Sequence, residues 1–185
     1  MEWITSIDFA ILDGIQKLMR CEFWDAVMKV LSYLGEAGSV WIILGIVLLF
    51  FRKTRVTGIA VLASVALCFI SGELIIKNIV ARPRPFQEHQ IVMNIRPPHG
   101  FSFPSAHSSL GFSAATSLMI YFRKLGIPAL ILAALIAFSR LYNFVHYPSD
   151  VIGGIILGIL CALFVCWAIR KTGIENRLGA KKLQN

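Results

Sequence analysis

The chain has 185 residues, 57% of them hydrophobic and only 15% charged, with a mean hydropathy of +0.72 and a net charge of +8. An ordinary soluble domain of this length needs far more polar surface to cover itself, so the composition implies a single membrane domain over residues 1–185. Nucleic acid is excluded as a partner, because the bases sit in short clusters between apolar runs, where a membrane protein keeps its anchors.

In chain order, the first 22 residues place Ile4, Ile7, Ile11, Ile15 and Leu18 at three- and four-residue steps, with Asp8, Asp13 and Lys17 among the other positions. That pattern predicts a helix with one apolar stripe, lying at the membrane interface; a poorly hydrophobic sixth span is the alternative. Glu2, Asp8 and Asp13 with no basic start argue against a cleavable signal peptide. Five apolar runs follow, at about 31–51, 56–80, 105–122, 127–142 and 149–169, against a requirement of roughly 20 helical residues per crossing. The fourth is short. The expected fold is therefore all-α, a polytopic bundle of five to six transmembrane helices. Cys68, Cys161 and Cys166 fall inside apolar runs and Cys21 stands alone, so no disulfide framework is expected.

Basic residues orient the bundle. Arg52, Lys53 and Arg55 fill the first connection, Arg123 and Lys124 the third, and residues 171–185 form a basic tail. Alternating spans put these on one side, which the positive-inside rule makes cytoplasmic. The connections at 81–104 and 143–148 then lie outside, where their ionisable residues need another explanation.

Three clusters meet on that face: KNIVARPRP with Lys77 and Arg84, FPSAHSS with Ser105, Ala106 and His107, and SRLYNFVHYPSD with Arg140, His146 and Asp150. Each has a plain structural reading. Lys77 and Arg84 could snorkel to headgroups, His107 could pack, and Arg140 with Asp150 could form an ion pair. Together they read as a site, because ionisable residues at membrane depth are costly. Three converging bases make an anion site whose guanidinium forks suit phosphate oxygens. Pro104 and Ser105 open a helix whose free N–H groups would face the same anion. Of two histidines, one can attack phosphorus and the other can protonate the leaving oxygen. Asp150, four residues after His146, is spaced to hold its ring. Glu73 lies four residues before Lys77 and would steady it. Arg82 and Arg96 read as solvated loop charges, with contact to a second phosphate as the alternative, and Gly154 and Gly158 as a stripe for helix packing. No metal-ligand cluster and no cofactor are expected.

These residues carry a resemblance. K-x6-R-P is matched by Lys77, Arg84 and Pro85; P-S-G-H by Pro104, Ser105 and His107, with Ala106 in place of glycine; and S-R-x5-H-x3-D by Ser139, Arg140, His146 and Asp150. The chain thus resembles the type 2 phosphatidic acid phosphatase family, whose helical core is shared with bacterial acid phosphatases and vanadate haloperoxidases. The resemblance implies a metal-independent lipid phosphatase. His146 would be the nucleophile of a phosphohistidine, Asp150 its support, and His107 the general acid and then base. Lys77, Arg84, Arg140, Ser105 and the Ala106 N–H would hold the phosphate. Alanine at position 106 is costly only if that position is left-handed. A lipid phosphate or diphosphate is the implied substrate: undecaprenyl diphosphate first, with phosphatidylglycerol phosphate and phosphatidate as alternatives. A vanadate-dependent haloperoxidase and a non-catalytic lipid-binding or transport protein are the competing classes.

Overall fold

The computed structural model describes residues 2–89, 91–173 and 175. Among these the chain is all-helical, without strands. Beyond residues 171–173 and 175, the expected basic tail lies outside the described residues. The helices are α1 (Glu2–Met19), α2 (Glu22–Leu34), α3 (Ser39–Phe50), α4 (Arg55–Phe69), α5 (Lys77–Val80), α6 (Pro85–Glu88), α7 (Ala106–Tyr121), α8 (Arg123–Tyr142) and α9 (Pro148–Lys171). A π-helical turn, Ile70–Ile76, joins α4 to α5.

Among the described residues, three helical stretches are long and apolar enough to cross a membrane: Arg55–Glu88, Arg123–Tyr142 and Pro148–Lys171. The expected run at 31–51 is not one straight helix. α2 and α3 meet at a 43° bend and pass as a span only together. The break has a local cause: Ala37 and Gly38 have φ of 51° and 69°, which no continuing helix accepts. Hydropathy alone runs through such a break, because Val40 onward is apolar regardless of what the backbone does at 37 and 38.

The expected third span is α7, 16 residues long and buried over most of its surface. It packs against α4, α8 and α9 at once, with α3 on α4 and α2 on α8. Its composition explains that position. Ser108, Ser109, Gly111, Ser113, Ala114, Ala115 and Ser117 are small, so neighbouring backbones come close, and helix association in a bilayer depends on such packing. The hydroxyls are satisfied locally: Ser113 Oγ donates to the Leu110 carbonyl at 2.9 Å, and the Ser64 and Ser117 hydroxyls pair at 3.0 Å. Gly154 and Gly158 of α9 complete the contact as the stripe predicted. A Cβ at Gly158 would stand 2.4 Å from the Ser109 carbonyl oxygen. Trp41, Val61, Val65, Leu118 and Ile136 fill the core around α7. Ile43, Phe50, Ile131, Ile156 and Phe164 face outward, as lipid-exposed positions should.

Helix α1 carries its apolar stripe on the outside. Ile4, Ile7, Ile11 and Leu18 are exposed, whereas Asp8 and Leu12 are buried against the bundle. Leu12 packs on Phe144 and Tyr147. An apolar face turned from the protein suits a helix lying at the interface.

Candidate active site

Each predicted site residue is delivered by a helix end, and the ends gather at one pole. At the first, Ala81 adopts φ 48° and terminates α5, so the chain turns from Lys77 into an extended segment that leads to Arg84. Lys77 is buried and ion-paired with Glu73 one turn earlier, the predicted i,i+4 contact. Arg84 is 3% exposed. Its Nε donates to the Gly100 carbonyl at 2.9 Å, Nη2 to His99 at 3.2 Å and Nη1 to Val145 at 2.9 Å, so three carbonyls fix the guanidinium plane.

At the second end, α7 opens on Ala106 with Ser105 as its cap residue, leaving the first N–H groups without intrahelical partners. Ala106 is helical and has no positive φ, so alanine costs nothing where the family pattern has glycine. Ser105 is fully buried. Its backbone N–H donates to the Asp150 carbonyl at 3.1 Å, and its hydroxyl accepts from Ser108 Oγ at 3.1 Å. His107 Nε2 lies 3.2 Å from the Ser32 carbonyl oxygen. Its ring packs over Gly35, where an added Cβ would meet His107 Cδ2 at 2.7 Å.

At the third end, α8 finishes with Arg140 and α9 begins at Pro148, a proline in the first turn where no N–H is needed. Arg140 donates from Nη1 to Ser32 Oγ. Its buried Nε has no hydrogen-bond partner among the described residues, which marks it as a donor available to a ligand. Between the helices, Phe144 takes φ 57° and the loop turns His146 inward.

His146 is 2% exposed, with its two nitrogens facing different neighbours. Nε2 is 3.3 Å from Arg84 Nη1. Nδ1 is 3.6 Å from Asp150 Oδ2 and 3.5 Å from Ser102 Oγ. Asp150, fully buried, accepts from the Tyr147 N–H at 2.9 Å and from Ser102 Oγ on Oδ2, and from Arg82 Nη1 at 2.7 Å on Oδ1. It therefore caps α9 and backs His146 with the same carboxylate. Burial lowers the His146 pKa to about 3, and the Arg84 charge adds to this; the Asp150 hydrogen bond and charge oppose it. The ring is neutral in weak acid, and when Nδ1 carries the proton Nε2 presents its lone pair, which Arg84 Nη1 meets at 3.3 Å.

Lys77, Arg84, Ala106, His107, Arg140 and His146 line one cleft of about 430 Å³, together with Glu73, Arg96 and Ser32. Ser105 and Asp150 are not among the lining residues. Three partners had no signal in the spacing. Ser32 of α2 touches both Arg140 and His107 across more than 70 residues of chain. Ser102 bridges towards His146 and Asp150 from an irregular loop. Arg82 is not a solvated charge: it is paired with Asp8 at 2.9 Å and with Asp150 at 2.7 Å. The arrangement combines a cage of cations, helix-start N–H groups and a backed imidazole, which together can bind a phosphoryl group and take it covalently.

Relatives of the chain include phosphatases. The chain is 35% identical to the undecaprenyl-diphosphatase of Sulfolobus acidocaldarius over 202 aligned positions, covering 96% of this chain and 97% of that one. Its fold is similar to the crystal structure of a transmembrane PAP2-type phosphatidylglycerolphosphate phosphatase from Bacillus subtilis, with TM-score 0.74 and 25% identity over 92% of this chain and 88% of the other. Aquifex aeolicus LpxE is similar at TM-score 0.75 and 27% identity, over 86% and 94% of the two chains. Residues 56–174, from the start of α4 past the end of α9, match the PAP2 superfamily, and the chain belongs to that family of membrane phosphatases.

Proposed function

We propose that the chain hydrolyses undecaprenyl diphosphate to undecaprenyl phosphate through a phosphohistidine on His146. The observation that carries the reading is the convergence of Lys77, Arg84, Arg140 and both histidines on one cleft, with Asp150 directly behind His146. The choice of lipid is supported by the likeness to the Sulfolobus undecaprenyl-diphosphatase over nearly the whole of both chains.

In the first half-reaction the Nε2 lone pair of His146 attacks the terminal phosphorus. The bond from phosphorus to the bridging oxygen breaks, and His107 gives that oxygen its proton. Arg84, whose Nη1 lies 3.3 Å from Nε2, is held where it can donate to an oxygen of a phosphoryl group on His146. Arg140 Nε and the N–H groups at the start of α7 take up further oxygens, and Lys77 adds a point charge. Asp150 holds the Nδ1 proton and stabilises the positive charge that develops on the ring. In the second half, His107 accepts a proton from water, the water oxygen attacks phosphorus, and the P–N bond breaks to release phosphate.

We read the chain as one domain with five crossings: the bent α2–α3 pair, α4 with α5, α7, α8 and α9. Helix α1 lies along the interface. The clusters around Arg52 and Arg123 sit at the pole away from the cleft, which supports a cytoplasmic position for them and an outward-facing site.

The test is phosphate release in detergent with EDTA present, from undecaprenyl diphosphate, phosphatidylglycerol phosphate and phosphatidate, for wild type and His146→Ala. Release from undecaprenyl diphosphate that His146→Ala abolishes is the expected result. Turnover retained in that variant refutes the nucleophile, and preference for phosphatidylglycerol phosphate moves the substrate to the phosphomonoester.

A further inference from the structure

Asp150 is itself held by residues that do not line the cleft. We propose that Asp8 and Arg82 are positioning residues that fix Asp150 for its action on His146, making helix α1 part of the reaction machinery. The inference rests on the phosphohistidine reading above.

The geometry is a fork between two buried carboxylates. Arg82 Nη1 donates to Asp150 Oδ1 at 2.7 Å and to Ser149 Oγ at 2.7 Å, while Nη2 donates to Asp8 Oδ2 at 2.9 Å. The guanidinium also lies 3.8 Å from the centroid of the Tyr147 ring, so stacking fixes its plane and hydrogen bonds fix its rotation. Asp8 in turn accepts from the Ser149 N–H at 3.0 Å and from Ser149 Oγ, which ties α1 to the first turn of α9, the turn that carries Asp150. Asp8 and Asp150 are 3% and 0% exposed.

Charge gives the arrangement its sense. Asp150 backs the imidazole only while Oδ2 stays towards His146. Without Arg82 the two buried carboxylates would lose the cation they share. Arg82 without Asp8 would place its whole charge on Asp150 and draw the carboxylate away from the imidazole. Shared between the two, it holds Oδ1 and leaves Oδ2 for Ser102, Tyr147 and the ring. Asp8 lies outside residues 56–174, so the family match does not account for it.

The experiment uses the full chain in detergent, with undecaprenyl diphosphate as substrate and His146→Ala as the inactive reference. Asp8→Asn and Arg82→Gln are expected to lower kcat about ten- to a hundredfold per folded molecule, the range seen when the hydrogen-bond partner that orients a metal-bound histidine is lost. KM should stay within about twofold, because neither residue touches phosphate. Adding Asp8→Asn to Asp150→Asn should cost nothing further, since both act through one carboxylate. Arg82→Lys, which keeps the charge but cannot bridge both acids, should show the same kcat loss and serves if Asp8→Asn accumulates poorly. Wild-type kcat in the Asp8 and Arg82 variants, beside an inactive His146→Ala, overturns the inference alone. Losses that multiply with that of Asp150→Asn overturn it too. Turnover by His146→Ala overturns the reading beneath it.

Discussion

Substituting Gly158 by alanine tests whether the contact between α7 and α9 sets the reaction geometry. The new Cβ would lie 2.4 Å from the Ser109 carbonyl oxygen and 3.0 Å from the Ser113 nitrogen, both backbone atoms of α7. Ordinary contact begins about 1 Å further out, and no side chain can rotate away, so the helices must part by about that much. Overpacking of this kind costs about 1–3 kcal/mol. Alanine recovers up to about 1 kcal/mol through helix propensity. With that recovery made in full, the net loss is at most about 2 kcal/mol, a midpoint up to roughly 8 °C lower for a chain of this size. Catalysis should suffer more. Gly158 lies two turns below Asp150 on the same face, and Ser105 N–H bonds the Asp150 carbonyl across the interface at 3.1 Å. A 1 Å separation breaks that bond and moves His107 on α7 away from His146, which should reduce kcat about a hundredfold. The assay is thermal unfolding and phosphate release in the same detergent, with Gly14→Ala as control because an added methyl there meets nothing within 4 Å. A Gly158→Ala protein with wild-type midpoint and wild-type kcat would refute the argument.

Ser102→Ala removes the hydroxyl that donates to Asp150 Oδ2 and faces His146 Nδ1; kcat should fall about tenfold or more with KM little changed, measured by initial-rate kinetics. Because burial holds the His146 pKa at about 3 in the fold, against about 6.5 unfolded, the unfolded chain binds the extra proton first as pH falls. Wild type should therefore lose stability relative to His146→Gln by up to about 1.4 kcal/mol per pH unit between pH 6.5 and 4, and a constant difference in midpoint would contradict this. Ala81→Gly, at φ 48°, should gain on the order of 1 kcal/mol with kcat unchanged, read by thermal unfolding and turnover.

The cation cage was legible in the sequence because charge is rare in this chain and because local spacing survives folding. His146 and Asp150 are four residues apart across the start of α9, and Glu73 and Lys77 are four apart along one helical stretch. Long-range partners were not legible. Nothing near Ser32 announces that it will meet Arg140, and Asp8 read as one acid on the polar side of an amphipathic helix. The stripe of α1 was visible and read as interfacial, but with a sixth span left as the alternative. In a bilayer an apolar face has two possible homes, protein or lipid, and periodicity does not distinguish them. The bend at Ala37 and Gly38 was hidden for a similar reason. Hydropathy measures side chains, whereas the break lies in φ.

The link between Asp8 and the start of α9 also orders events during synthesis. Asp8 leaves the ribosome first, yet Arg82 follows it by 74 residues and Ser149 by 141. At translation rates of about 5–20 residues per second, Asp8 waits roughly seven seconds or longer for its last partner. Through that interval the outward stripe of Ile4, Ile7, Ile11 and Leu18 gives α1 a reason to rest on the membrane surface rather than insert. The contacts that Asp8 makes with the first turn of α9 can therefore form only after α9 has arrived, and the surroundings of Asp150 are completed at that stage.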